Sequence, residues 1–150
     1  MIPLATEPLS ALYKSDETAW LDAMARLIRE RRFDELDLPN LGEYLTDMAR
    51  RDRREVKSRL AVLMAHLLKW EHQPTRRSSS WRATIVTQRQ ELADLVGGGV
   101  LRQHALAVLP DAYANALEQA SAETSLGRET FPTNCPFSLD HILITGLRDD

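Results

Sequence analysis

Side chains suited to binding an anion are concentrated in the middle of the chain. Arginine guanidinium groups are planar, forked donors for phosphate or carboxylate, serine hydroxyls add further donors, and indole rings stack on arginines or on nucleic-acid bases. We therefore predict that any binding site lies at the basic, serine-rich turn that follows Pro74. The candidate binding residues are His66, Trp70, Arg76, Arg77, Ser80, Trp81, Arg82 and Arg89.

The same arginines have an alternative, internal use. They would then pair with carboxylates of the chain itself, for which Glu43 and Asp47 are the candidate acidic partners. Trp70 and Trp81 would pack as core at a helical corner. We favour this internal arrangement and keep an exposed binding surface as the alternative.

A second group with chemical potential consists of Glu43, Asp47 and His66. The two carboxylates are four residues apart and so share one face of a helix. Two carboxylates and a histidine can bind a divalent metal or transfer protons, provided that all three converge. We favour a surface carboxylate pair and a histidine satisfied within the fold, and we predict no metal and no cofactor.

Other catalytic patterns are missing from the sequence. It contains no G-x-S-x-G elbow, no glycine-rich phosphate loop with a lysine, and no H-E-x-x-H motif. Gly97, Gly98 and Gly99 follow a predicted helix rather than a strand, so they indicate a helix end. Cys135 has no base beside it in sequence. We assign no catalytic residue.

Charge is unevenly distributed along the chain. Residues 50–90 contain eleven basic and three acidic residues, a net charge of +8, although the whole chain has a net charge of −3. The remainder therefore carries −11. Such blocks either pair within the fold or present a basic face to an anionic partner.

The hydrophobic periodicity is helical throughout, and no alternating period-two stretch predicts a strand. We predict an all-α single domain of five to six helices packed around a long central helix at about residues 39–72. Residues 1–14 are predicted to be a loosely ordered arm, and residues 15–150 the helical domain. The long helix either continues through the charged stretch or breaks near Arg51 and Asp52, and we favour continuity because residues 43–73 contain no Gly or Pro.

Further helices are predicted from stripes and caps. The first carries Trp20, Met24, Leu27 and Ile28 on one face, after a cap at Ser15 or Asp16. Asp37 is the predicted cap of the long helix, Ser78 or Ser80 that of the next, and Ser138 that of a short last helix. Pro110 either kinks a helix or starts one, Gly127 closes that region, and residues 128–137 are predicted to be loop.

A chain of 150 residues is long enough to fold without a metal or a disulfide, and a single cysteine suits a reducing cytosol. No run approaches the roughly 20 apolar residues of a membrane span, and the first residues do not read as a signal peptide. We therefore expect a cytoplasmic protein without membrane contact.

An ordered series of motifs resembles one bacterial family. The motifs are NLGEYLTDM (40–48), HLLKW (66–70), QP (73–74), RRSSSW (76–81), AET (122–124) and FPTNCPFSLDHIL (131–143). The chain is identified by them as a member of the domain of unknown function 29 family, over roughly residues 12–143. The resemblance implies an all-helical fold and supplies no catalytic residues. Family members often carry two adjacent acids where this chain has Glu43 followed by Tyr44.

We predict from these observations a soluble, non-catalytic protein-interaction or regulatory module. A protein partner or a second copy of the chain is favoured over nucleic acid. Two alternatives remain. One is a nucleic-acid-binding regulator that uses the basic corner Arg76–Arg89, and the other is a metal-dependent enzyme that uses Glu43, Asp47 and His66.

Overall fold

The computed structural model describes residues 8–144, in which six α-helices are joined by loops and three short 3₁₀ turns. No strand occurs among these residues, so the predicted all-α class is confirmed. The helices are α1 (Leu9–Ser15), α2 (Glu17–Arg29), α3 (Leu38–His72), α4 (Ser79–Leu95), α5 (Gly99–Thr124) and α6 (Leu139–Ile144).

The chain divides into two compact units, Met1–Arg50 and Arg51–Asp150. The sequence predicted one domain over residues 15–150. The division falls inside α3, which runs from Leu38 to His72, so no Gly, Pro or Ser-rich linker marks it in the sequence. A boundary within a helix leaves no compositional signal.

The first unit is built around Trp20, whose side chain is fully buried. Met24 and Leu27 are buried beside it on the same face of α2, as the stripe predicted. The rings of Tyr13 and Tyr44 lie 4.7 and 5.8 Å from the Trp20 ring, centroid to centroid. Tilted aromatic pairs at this separation stabilise beyond the area they bury.

Two features of this unit differ from the prediction. Residues 9–14, assigned to a loosely ordered arm, form most of α1, while residues 1–7 lie outside the part that the structure describes. Seven residues are too few to reveal a helical period in the sequence. Ile28 is 47% exposed rather than buried, because each residue along a helix turns about 100° away from the one before it, here Leu27.

Predicted helix caps are found at several starts. Asp16 accepts a hydrogen bond from the backbone N–H of Ala19 at 3.1 Å. Ser138 accepts one from the N–H of His141 at 3.1 Å. The carbonyl of Asp37 accepts the first backbone bond of α3. The two side-chain bonds satisfy backbone N–H groups that have no partner within the helix, and the Asp37 bond is the first of the helical series.

α3 continues through the charged stretch without a break, as favoured. Residues 49–52 are all exposed, whereas the later part of the helix is buried at Val56, Leu60, Leu63 and Leu67. A helical segment that is polar on every side is solvated rather than packed. The charged run therefore belongs to the exposed part of α3, and the apolar run belongs to the core of the second unit.

α5 supplies small residues to that core, since Ala112, Ala116 and Ala120 are fully buried. Pro110 lies inside the helix. It cannot donate the bond that would reach the carbonyl of Leu106, one turn earlier. Pro110 and Leu106 are both on the exposed side, where water can satisfy that carbonyl.

The segment after α5 is fixed to the core by two phenylalanines. α5 ends at Thr124, with Ser125 in the left-handed region at φ 60°, which is two residues before the predicted stop at Gly127. Phe131 and Phe137 are only 4% and 5% exposed. A prolyl loop with little regular structure is thus held in place by two large apolar side chains.

Candidate functional site

A pocket with a volume of about 360 Å³ lies between the end of α3 and the start of α4. Its lining residues are Trp70, Pro74, Arg77, Ser78, Ser79 and Arg82. We call this surface the corner pocket. It lies at the basic turn where the sequence predicted a site, and three of the eight predicted binding residues line it.

Trp70 lines the corner pocket, although the residue is only 4% exposed. The guanidinium carbons of Arg77 and Arg82 lie 4.9 and 5.3 Å from the centroid of its ring. Cation–π contacts of this kind contribute about 0.5–2 kcal/mol each. Trp70 therefore stacks on arginine, one of the two uses considered for its indole, and a ring so deeply buried is poorly placed to stack on a nucleic-acid base.

Arg77 is held by a second contact. Its Nε–H donates to the backbone carbonyl of Trp70 at 2.8 Å. A guanidinium group is a rigid plane with five N–H donors. A contact at Nε and a ring below the plane together set its orientation at the corner pocket.

Two serines place hydroxyl groups at the same surface. Ser78 is the N-cap of α4, and its Oγ accepts from the backbone N–H of Trp81 at 3.2 Å. Its O–H hydrogen is still available to donate, because a hydroxyl group both donates and accepts. Ser79 is the first residue of α4, at the helix end where the peptide dipoles favour negative charge.

The remaining predicted binding residues have other positions. Arg76 and Ser80 are exposed but do not line the corner pocket. Trp81 is half-buried against the core of the second unit. The Nε–H of Arg89 donates to the carbonyl of Ile142 in α6 at 2.7 Å, and burial lowers the pKa of this arginine. Arg89 therefore joins α4 to α6.

A partly buried ion pair joins α3 to α5. Lys69 is 5% exposed, and its Nζ donates to Oε2 of Glu123 at 2.6 Å. The same Nζ lies 5.0 Å from the centroid of the Trp81 ring. Partial burial raises the pKa of Glu123, but hydrogen bonds from Lys69 and Gln119 and the positive charge of Lys69 outweigh it, so that the pKa lies below its ordinary value.

His66 lies near this ion pair. It is half-buried, and its Nδ1 is 2.9 Å from the carbonyl oxygen of Val62. Burial, aided by the positive charge of Lys69, lowers the pKa of the imidazole, although the Val62 bond and the carboxylate of Glu123 oppose the shift. His66 is thus satisfied within the fold, as favoured from the sequence.

The acidic residues proposed as internal partners are exposed. Glu43 and Asp47 both lie on the solvent side of α3, and Asp47 Oδ1 is 4.0 Å from Arg50 Nη1. Among residues 8–144, no group of three His, Cys, Asp or Glu side chains is arranged to hold a metal ion. Pairing of the corner arginines with Glu43 and Asp47 stays a prediction.

Cys135 and Tyr113 are packing residues of the second unit. The thiol of Cys135 lies 3.8 Å from the Met64 sulfur and donates to the carbonyl of Phe137 at 3.4 Å. Burial raises the pKa of this thiol, which the Phe137 bond opposes. The hydroxyl of Tyr113 donates to the carbonyl of Pro132. None of these contacts sets up a nucleophile.

Comparison with known proteins concerns almost the whole chain. The family described as "Domain of unknown function DUF29" matches residues 12–146. The chain belongs to this family. The expected membership is thereby confirmed. Neither the comparison with curated proteins nor the comparison with solved structures found a match. In the described part of this DUF29 protein, none of the helices has the length and apolarity that crossing a bilayer requires.

Three lining residues of the corner pocket, Pro74, Ser78 and Ser79, were not among the candidate binding residues. Pro74 was considered only as a helix breaker, whereas Ser78 and Ser79 were considered as part of a serine-rich turn that favours an anion. The predicted cap at Ser78 is present. The sequence signal that could have indicated these lining residues is the short spacing between the end of α3 at His72 and the start of α4 at Ser79.

Proposed function

We propose that this DUF29 protein is a non-catalytic binding module, and that the corner pocket binds an acidic segment of a protein partner. One observation carries the proposal. The two guanidinium groups of Arg77 and Arg82 and the two hydroxyls of Ser78 and Ser79 line one concave surface. Charge-assisted hydrogen bonds from arginine to an anion are about twice as strong as neutral ones.

The contacts of the arginines support binding rather than catalysis. Arg77 is oriented by the Trp70 carbonyl and ring, and Arg82 by the same ring. Donors that are already ordered lose less entropy when a ligand arrives. Among residues 8–144, those lining the corner pocket include neither a cysteine nor a histidine nor a carboxylate. We place the protein in the cytoplasm as part of this proposal, because a lone cysteine suits a reducing compartment.

The experiment is a binding titration of a fluorescently labelled acidic peptide, measured by anisotropy. Arg82→Gln removes one lining guanidinium, and Arg76→Gln is the matched control, because it removes the same charge from an exposed residue outside the corner pocket. We expect Arg82→Gln to weaken binding by about tenfold, equivalent to about 1.4 kcal/mol. Equal losses in the two variants would show that binding follows net charge and not this surface.

Nucleic acid is the rival partner, and salt separates the two. A protein that neutralises several phosphates loses affinity steeply as salt rises, with a slope of about 0.9 per phosphate contacted. The same titration with a labelled DNA duplex therefore belongs in the experiment. Tight DNA binding with a steep salt slope, together with no peptide binding, would replace this proposal. A second copy of the chain is the remaining alternative, and sedimentation over a range of protein concentrations would detect it.

A further inference from the structure

The first turns of α3 carry an apolar stripe that is exposed in the described part of the first unit. Leu38 and Leu45 are 62% and 58% exposed. The small residues Gly42 and Ala49 alternate with them and are exposed as well. Spacings of four, three and four residues place these positions within an arc of about 60° on the helix. We call this stripe of Leu38, Gly42, Leu45 and Ala49 the α3 seam.

The spacing of the α3 seam is that of a packed helix face. The series continues along the same helix with Val56, Leu60 and Leu63, which are fully buried in the core of the second unit. On a helix at the surface, apolar residues are normally confined to the stripe that packs, and the opposite face is polar. The α3 seam therefore has the pattern of a buried stripe at positions that are exposed.

The first unit buries few large apolar side chains. Among its described residues three are buried and four large apolar ones are exposed, namely Trp20, Met24 and Leu27 against Ile28, Phe33, Leu38 and Leu45. Small units with a limited core commonly gain stability from association with another chain. An exposed leucine stripe in this unit is thus a candidate contact surface.

The order of large and small residues makes the α3 seam complementary to itself. Two copies can run antiparallel about a two-fold axis midway between residues 42 and 45. Leu45 of each copy then lies opposite Gly42 of the other, and Leu38 opposite Ala49. A Cβ atom added at Gly42 would meet nothing within 4 Å, so the space beside it is open. A two-fold contact uses the same patch on both copies, which must therefore fit itself.

We propose that this DUF29 protein forms a two-fold dimer in which two α3 seams pack antiparallel. The seam spans about 17 Å of helix at ~1.5 Å per residue. A contact of this length is small beside the roughly 800 Å² per partner of a standard interface. We therefore expect a dissociation constant between about 1 μM and about 1 mM. The corner pocket is lined by residues between 70 and 82, so the inference goes beyond the proposed function.

The test is analytical ultracentrifugation of the whole chain from about 1 μM to about 1 mM. We expect Leu45→Ala to weaken association at least about tenfold. Leu106→Ala is the matched control, because it truncates a leucine of α5 that is 47% exposed, and it should change association by less than about threefold. A chain that stays monomeric at every concentration, or equal losses in the two variants, would overturn the inference.

A rescue variant tests the two-fold arrangement. Adding Gly42→Leu to Leu45→Ala again places one leucine and one small residue opposite each other, so association should return to within about threefold of the unmodified protein. Adding Gln103→Leu instead, at an exposed position of α5, should restore nothing. Leucine is a better helix former than glycine, so the Gly42→Leu variant should not melt at a lower temperature. Failure of the rescue, or equal rescue by Gln103→Leu, would overturn the proposed packing.

One further variant separates this inference from the proposed function. Arg82→Gln alters the corner pocket and should leave association unchanged, while Leu45→Ala should leave binding of the acidic peptide unchanged. Association that is lost in Arg82→Gln and kept in Leu45→Ala would place the contact between copies at the corner pocket and overturn the inference. Absence of peptide binding in a chain that dimerises through Leu45 would overturn only the proposed function.

Discussion

The ion pair between Lys69 and Glu123 predicts an unequal response to removal of its two partners. The Lys69 side chain is 7% exposed, whereas the Glu123 side chain is 43% exposed, and Nζ and Oε2 are 2.6 Å apart. Glu123→Gln leaves an ammonium group buried without its counter-charge. Lys69→Met leaves a carboxylate that water can reach, and it fills the same space with an apolar chain.

The size of each effect follows from burial. Removing one partner of a fully buried pair costs about 3–5 kcal/mol, but access of water at Glu123 reduces this to about 2–3 kcal/mol for Glu123→Gln. Lys69→Met should cost less than about 1 kcal/mol, because the carboxylate left behind is solvated. For a chain of this length, 2–3 kcal/mol corresponds to a fall in melting temperature of about 5–10 °C.

The assay is urea unfolding followed by circular dichroism, with Lys69→Met, Glu123→Gln and the double variant measured together. We expect the double variant to resemble Lys69→Met, since it contains no buried unpaired charge. The low pKa of Glu123 adds a pH test. The contribution of the pair is complete above the ordinary carboxyl pKa of 4.5 and is lost as pH falls through the lowered value. Lys69→Met as damaging as Glu123→Gln would refute the reasoning.

The contacts and burial of three other residues predict how their substitution changes stability or titration. Asp37 accepts from the indole N–H of the fully buried Trp20 at 3.1 Å, so Asp37→Ala should cost about 1–3 kcal/mol in urea unfolding, and Asp37→Asn, which keeps an acceptor oxygen, much less. Tyr113→Phe removes the hydrogen bond to Pro132, at a cost of about 1 kcal/mol. Burial raises the pKa of Tyr113 to about 12, so ultraviolet absorbance should show a phenol titration near that pH that this variant lacks. The lowered pKa of His66 means that the native state holds fewer protons than the unfolded chain just below pH 6.5. Stability should therefore fall as pH drops through that range, and the fall should be smaller in His66→Gln.

Local patterns predicted the helices well where they were long and amphipathic. Trp20, Met24 and Leu27 recur at helical spacing and are buried together. Capping side chains marked the starts of α2, α4 and α6, because a serine or aspartate oxygen satisfies a backbone N–H that the helix itself cannot. These signals act over four residues or fewer, so sequence order is sufficient to reveal them.

Other features of the structure have only weak or ambiguous local signals in the sequence. α1 is too short for a period to show, and the boundary between the two units lies within a helix. The sequence left Pro110 either as a kink or as a helix start, and the structure places it inside α5 on an exposed side.

At the candidate site, too, the sequence did not specify the contacts between side chains. Composition placed arginines, serines and tryptophans in one turn, but it did not show which of them meet. Arg77 and Arg82 reach the ring of Trp70, whereas Arg89 reaches a carbonyl of α6, fifty-three residues away in sequence. An arginine side chain is long enough to reach many different partners, so its contacts depend on how whole helices pack.

The sequence by itself determined the helical class, most helix starts, the continuity of α3 and the location of the basic turn, because each depends on hydrogen bonds and periodicities between near neighbours. Tertiary structure alone decided that Arg77 and Arg82 meet the ring of Trp70, that Lys69 pairs with Glu123, and that Ser79 rather than Ser80 lines the corner pocket. These depend on which faces of separate helices exclude water from one another, and distance along the chain does not specify that.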